Sequence, residues 1–328
     1  IGLCDGECAL ENLQFSYIGC DYYPTITLQH DSYNGGTKVF AVVIANTTGA
    51  EAKITITRGA MMVQELVVPA GEVKEVPLKW VPELTKGLGP SKLTVDGAYR
   101  VRSNHPVTVY QYNLLYADAS NDASLLLPVN AWTGDYLVAS YPHAAVNNYP
   151  GFYAVVARQD DTKVTLKPSA TGGKVQAGGG VAADGTGEIV LMADDVLQVA
   201  TAADGDLTGT LIHADKPVQV FGGHKCSRVP QNVDLCDHLE EAMFPIEALA
   251  QEYIVIPPVQ SPNDKADQGQ VVRIVASEAD TTLTFTPDQG VAKKLAKAGD
   301  FVEIVDTTAK FKVAGDKKIL VAQYMIGQ

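Results

Sequence analysis

Asn104-His105-Pro106-Val107-Thr108-Val109-Tyr110-Gln111 reads as a β-strand entered through a proline, and the chain carries three versions of it. The second is Asp215-Lys216-Pro217-Val218-Gln219-Val220-Phe221-Gly222, and the third is Asp316-Lys317-Lys318-Ile319-Leu320-Val321-Ala322-Gln323. Proline has no N–H to give to a ladder, which does no harm at the first position of a strand. The alternation behind it places Val107 and Val109 on one face, and Val218 and Val220 likewise.

Working outward, the same order of signatures precedes each version. Val42-Val43-Ile44-Ala45, Val155-Val156-Ala157 and Ile274-Val275-Ala276 open the copies. A polar turn leads from each to Lys53-Ile54-Thr55-Ile56, Lys163-Val164-Thr165-Leu166 and Thr282-Leu283-Thr284-Phe285. Next come Ala70-Gly71-Glu72-Val73, Ala193-Asp194-Asp195-Val196 and Ala298-Gly299-Asp300-Phe301, each a tight turn feeding a strand. The spacing is 112 residues from Ala45 to Ala157 and 119 from Ala157 to Ala276. That is too long for a propeller blade of about 40–50 residues and suits a sandwich of short strands.

The fold class expected is therefore all-β, three tandem β-sandwich-like repeats with short helical turns in the connectors. A Cys-containing N-terminal segment covers 1–24. The repeats run over 25–118, 119–222 and 223–328, the last including a connector loop. Each repeat is expected to hold its own core, with Val43, Ile54, Val107 and Val109 in the first. Val156, Val164, Val218 and Val220 should serve in the second, and Val275, Leu283, Ile319 and Val321 in the third. Helical turns are expected at Asp237–Met243, which opens with a capping Asp and early acids, and at Lys293–Lys297.

The 328 residues carry a net charge of −13, from 25 basic and 38 acidic side chains. Such a chain repels phosphate backbones, so nucleic acid is excluded as a partner. No run approaches the roughly 18 apolar residues of a spanning helix, and membrane insertion is not expected. The chain opens Ile1-Gly2-Leu3-Cys4, which reads as a mature or trimmed product without its leader.

Five cysteines fall into two groups: Cys4, Cys8 and Cys20, then Cys226 and Cys236. Closely spaced cysteines in loop-like sequence point to disulfides and an oxidising, extracellular or cell-surface location. Cys226 should pair with Cys236. Cys20 should pair with Cys4 or Cys8, Cys8 being favoured by its shorter loop, and the third thiol is free to bond between chains. His224 and His238 flank the second pair, but nine residues separate its cysteines where zinc sites use two to four, so no metal is expected.

Catalytic signatures are absent: no nucleophile elbow, no paired-His zinc helix, no phosphate loop, no dinucleotide fingerprint. The chain is read as non-enzymatic and without a cofactor. The densest polar cluster runs from His224 through Asp237 and His238, which are the candidate ligand-binding residues. The competing reading has both histidines bonded to backbone groups. Asp194, Asp195, Asp204 and Asp206 lack the spacing of a calcium loop and read as turn residues. Gly178-Gly179-Gly180 reads as a flexible loop, Tyr149 as a loop tyrosine, and Asn46-Thr47-Thr48 as the single glycosylation sequon.

Several stretches together resemble the N-terminal domain family of the IgG Fc-binding protein, known from a secreted mucus protein and from bacterial surface or secreted proteins. They are Ser103-Asn104-His105-Pro106-Val107 through Asn113, Asn121-Asp122-Ala123-Ser124-Leu125-Leu126-Leu127-Pro128, Thr208-Gly209-Thr210, Phe221-Gly222-Gly223-His224, and Cys236-Asp237-His238-Leu239-Glu240-Glu241. The resemblance implies an extracellular, bacterial adhesion or recognition module with a protein or glycan ligand and no catalytic residues. Two alternatives stand beside it. One is a structural subunit that self-associates into a fibre or envelope layer by donating a strand, and the other is a secreted hydrolase of unfamiliar type.

Overall fold

A computed structural model describes residues 6–30, 39–85, 87–115, 120–258 and 269–327, and the protein is all-β with antiparallel sheets. No described helix is long and apolar enough to cross a membrane. The first strands are β1 (Gly19–Tyr22), β2 (Val39–Ala45), β3 (Ala52–Arg58), β4 (Met61–Val68), β5 (Val73–Leu78), β6 (Lys92–Thr94) and β7 (Arg100–Leu115). There follow β8 (Ala123–Leu125), β9 (Thr133–Leu137), β10 (Gly151–Ala157), β11 (Thr162–Lys167), β12 (Gly187–Leu191), β13 (Val196–Ala200) and β14 (Leu211–Ser227). The rest are β15 (Asp237–Ala242), β16 (Glu252–Val255), β17 (Gln270–Ala276), β18 (Thr281–Thr286), β19 (Lys294–Leu295), β20 (Phe301–Thr307), β21 (Phe311–Gly315) and β22 (Ile319–Met325).

The proline-entered strands are the spine. β7, 16 residues long, serves two sheets. Its first half lies between β1 and β3, with β4 outside; its second half lies between β8 and β2, with β5 outside. β14 does the same with β9, β11 and β12, then with β15, β10 and β13. In the last set the spine is broken at Asp316-Lys317-Lys318 into β21, between β16 and β18, and β22, beside β17. Side chains from both sheets of a set meet in one apolar cluster, as Ile54 and Val68 do with Val42 and Val76.

The cores are shared, and here the expectation of one core per repeat is corrected. β10 is buried on both faces. Tyr153, Val155 and Ala157 enter the second cluster, while Ala154 and Val156 enter the first. Val275 of β17 likewise joins the second cluster, and Ile274 the third. A strand covered on both faces needs an unbroken apolar run, which Phe152 to Ala157 supplies. Val43 is a second correction. Ala45 stands opposite Val73 as Val156 stands opposite Val196 and Val275 opposite Phe301, so the first copy runs one residue out of the register the sequence suggested. A one-residue slip exchanges faces. Val42 and Ile44 are buried and Val43 is only partly so. Val321 is also partly buried, packed against the third cluster; the other expected core residues are buried.

Both expected helical turns are strands. Asp237–Ala242 pairs with the end of β14, and its alternate residues His238, Glu240 and Ala242 turn inward. Lys294–Leu295 pairs with β18. Helix propensity over six residues is a weak preference, and an open strand edge beside the segment overrides it.

The sets meet through the acidic turns. Ala98 donates its N–H to the Asp194 carbonyl at 3.0 Å, and Asp195 Oδ1 accepts the Asp96 N–H at 3.2 Å. β6 extends the neighbouring sheet by pairing with β13. Gly209, at φ 81°, lies against Gly299 so closely that a Cβ would sit 1.9 Å from its carbonyl oxygen. Gly178-Gly179-Gly180 is a turn packed on the Lys92-Leu93 backbone.

Candidate functional site

The polar cluster is assembled where β14 ends and β15 returns. His224 pairs with Leu239 and Ser227 with Asp237, with an irregularity between them. A disulfide joins Cys226 to Cys236 across a Cα separation of 5.2 Å and closes the intervening loop. A second joins Cys8 to Cys20, the favoured pairing; Cys4 lies outside the described residues.

Both candidate histidines are buried. His224 Nδ1 accepts the Cys226 N–H at 3.1 Å, which fixes the proton on Nε2, 3.1 Å from the Pro142 carbonyl. His238 Nε2 donates to the Leu28 carbonyl at 3.0 Å. Burial disfavours the charged imidazole and lowers the two pKa values to about 3 and about 4. Neutral rings bonded to carbonyls act here as cross-ties between segments far apart in sequence. Asp237 alone of the three candidates is exposed, and its Oδ1 accepts the His238 N–H. Among the described residues no group of three or more His, Cys, Asp or Glu is arranged to hold a metal ion.

Among the buried charged groups that escaped the sequence reading, two tie distant elements together. Glu240 lies 4% exposed beneath the β8–β15 contact. Its carboxylate accepts from Ser124 Oγ and Asn113 Nδ2, while its N–H donates to Asp122 Oδ2. Burial raises the Glu240 pKa to about 7, and burial with the neighbouring Glu240 charge raises Asp122 to about 8. The helix reading of Asp237–Met243 concealed this, since a strand alternation would have turned Glu240 inward.

The other is Arg273 of β17, 2% exposed. Its guanidinium donates to Ser140 O (3.1 Å), Asp206 Oδ2 (2.9 Å), Thr208 Oγ1 (2.7 Å) and Glu303 Oε2 (2.7 Å). The rings of Tyr141 and Phe301 lie 4.7 and 4.8 Å from its carbon centre. A lone charge inside Val271-Val272-Arg273-Ile274-Val275 was the available signal.

The remaining polar candidates have structural partners. Asp195 and Asp206 serve the junctions, and Asp194 occupies its turn at φ 70°. Tyr149 donates its hydroxyl hydrogen bond at 2.8 Å to His30 Nε2, or accepts it. The sequon residue Asn46 is 1% exposed, with its amide nitrogen bonded to the Ala50, Val68 and Pro69 carbonyls. A glycan has no access to it.

Fold and site together define a disulfide-tied, all-β module in which His224, His238, Glu240 and Arg273 are spent on internal joints. The family model for the IgGFc binding protein matches residues 122–328, and the chain belongs to that family. The human IgGFc-binding protein is 29% identical over 205 residues, 62% of this chain. The chain spans 4% of that relative's length. A solved structure, the BSP domain of a biofilm associated protein, aligns with 95% of this chain and 82% of its own at 7% identity and a TM-score of 0.17, too low to carry an argument.

Proposed function

We propose that this chain is a non-catalytic extracellular recognition module acting on a protein ligand, built from three like units over 25–118, 119–222 and 223–328. The observation that carries the reading is membership of the IgGFc binding family over residues 122–328. The site chemistry supports it. Four perturbed groups of the cluster, His224, His238, Glu240 and Asp122, hold hydrogen bonds to backbone groups or neighbouring side chains, as joints of the fold do. Two disulfides suit an oxidising exterior. Exposed Asp237 stays a candidate contact at the rim of the stapled loop.

The name of the human relative supplies the first ligand to test. Biolayer interferometry of the immobilised chain against IgG Fc and against a glycan panel, in EDTA, is the experiment. Saturable Fc binding supports protein recognition without a metal. Binding confined to glycans, or turnover of any panel member, overturns it.

The fibre reading by donation of the N-terminal segment has less support. Residues 6–30 are engaged with their own chain, through Cys8–Cys20, through Asn130 Nδ2 on the Gln14 carbonyl, and through His105 on Glu7.

A further inference from the structure

Each spine strand has an edge that faces away from β2, β10 or β17. Its first half is covered by the preceding connector, as β1, β9 and β16. Its second half is covered, in two sets, by the connector that follows. Tyr110, Gln111 and Tyr112 pair with Leu125, Ser124 and Ala123. Phe221, Gly222 and Gly223 pair with Ala242, Glu241 and Glu240. The register is the same in both. The residue opposite the aromatic stands three before a proline, Pro128 or Pro245. The next residue's N–H, from Leu126 or Met243, donates to the Val109 or Val220 carbonyl.

Val321 holds the corresponding place in the last set, because it stands opposite Ile274 as Val109 does opposite Ile44 and Val220 opposite Val155. Ile319 gives its N–H to the Ala250 carbonyl, where the preceding connector ends. Beyond it β22 pairs with β17 alone among the described residues. Ile319–Met325 contains no charge and no proline, the devices that protect free strand edges. Met325 is 65% exposed, and the carbonyl of exposed Ile256 accepts from Gln323 Nε2.

We infer that the edge of β22 from Val321 to Met325 accepts one antiparallel strand. The occupant is a peptide segment of the connector type, with a small or aliphatic residue opposite Ala322 and a proline three residues later. Backbone bonds supply the affinity and the side chain at Ala322 the register. A second copy of the chain fits less well, since its own connector strands are already held by β7 and β14. The inference does not rest on antibody recognition.

The test adds a synthetic peptide of residues 120–128 to the intact chain and follows amide hydrogen exchange. Val321, Gln323 and Met325, which face the open side by alternation, should exchange about tenfold more slowly with excess peptide. The same peptide N-methylated at Leu126 keeps every side chain but loses the donor to Val321, and should protect nothing. Unchanged exchange at millimolar peptide overturns the inference. So does protection without peptide, which means the edge is already covered. Protection that tracks protein concentration, with a dimer mass in sedimentation, assigns the edge to a second copy and overturns it too.

Discussion

The two junctions between strand sets use one geometry and opposite chemistries. At the first, Ala98 and Asp96 give their N–H groups to Asp194 and Asp195, Gly97 lies against Val196, and β6 joins the neighbouring sheet. At the second, Gly209 abuts Gly299, and the seal is a buried guanidinium with two carboxylates and aromatic walls. A junction made by backbone and apolar contact spreads its energy over many small terms. A junction centred on one buried cation concentrates it, because removing the cation leaves Asp206 with an uncompensated charge.

That contrast is broken most sharply at Arg273. Arg273→Ala should destabilise by about 3–5 kcal/mol, read by denaturant unfolding, with loss of exchange protection centred on β17 and β22. An effect below 1 kcal/mol would falsify the concentrated-junction account. The stapled loop comes next. Cys226→Ser with Cys236→Ser should cost about 2.5–3 kcal/mol on the chain-entropy argument; free thiols in a non-reduced digest of the unmodified protein would remove the basis for it. The first junction should give less. Asp195→Ala loses the acceptor for the Asp96 and Met192 N–H groups and should cost about 1–2 kcal/mol. A cost equal to that of Arg273→Ala would erase the distinction.

The smallest effect is a pH slope. The Glu240 pKa is raised on folding, so its contribution is present below the unfolded value and is lost as pH rises through about 7. His224 and His238 are lowered, so their contribution is present above about 6.5 and is lost toward acid. Between pH 6.5 and 8 the raised carboxyls Glu240, Glu241 and Asp122 ionise in the folded protein while their unfolded counterparts are already charged, so stability should fall as pH rises. Glu240→Gln should flatten part of that slope, by its own loss and by removing the charge beside Asp122; a slope unchanged in the variant assigns it elsewhere.

The alternating patterns made the strands legible, since Ile54, Val107, Val164 and Leu283 follow a period of two that nothing but a half-buried strand explains. The disulfides were legible from spacing. What escaped was set by neighbours distant in sequence. Val43 was misplaced because register depends on the partner strand, and a slip of one residue leaves the pattern looking intact. Asp237–Met243 was misread because its local propensities favour a helix, while the edge of β14 and the Cys226–Cys236 link decide the matter. Arg273 and Glu240 became visible only once the elements that surround them were in place.

β10 points Tyr153, Val155 and Ala157 one way and Ala154 and Val156 the other. Beads on a string bend at the string, but bending here would draw one of those rows into water. Orientation is therefore transmitted through the array: a partner held at the Cys8–Cys20 end fixes the direction in which the β22 edge is presented. Small-angle scattering should return one well-defined particle length rather than a spread, and the binding geometry at either end should be inherited by the other.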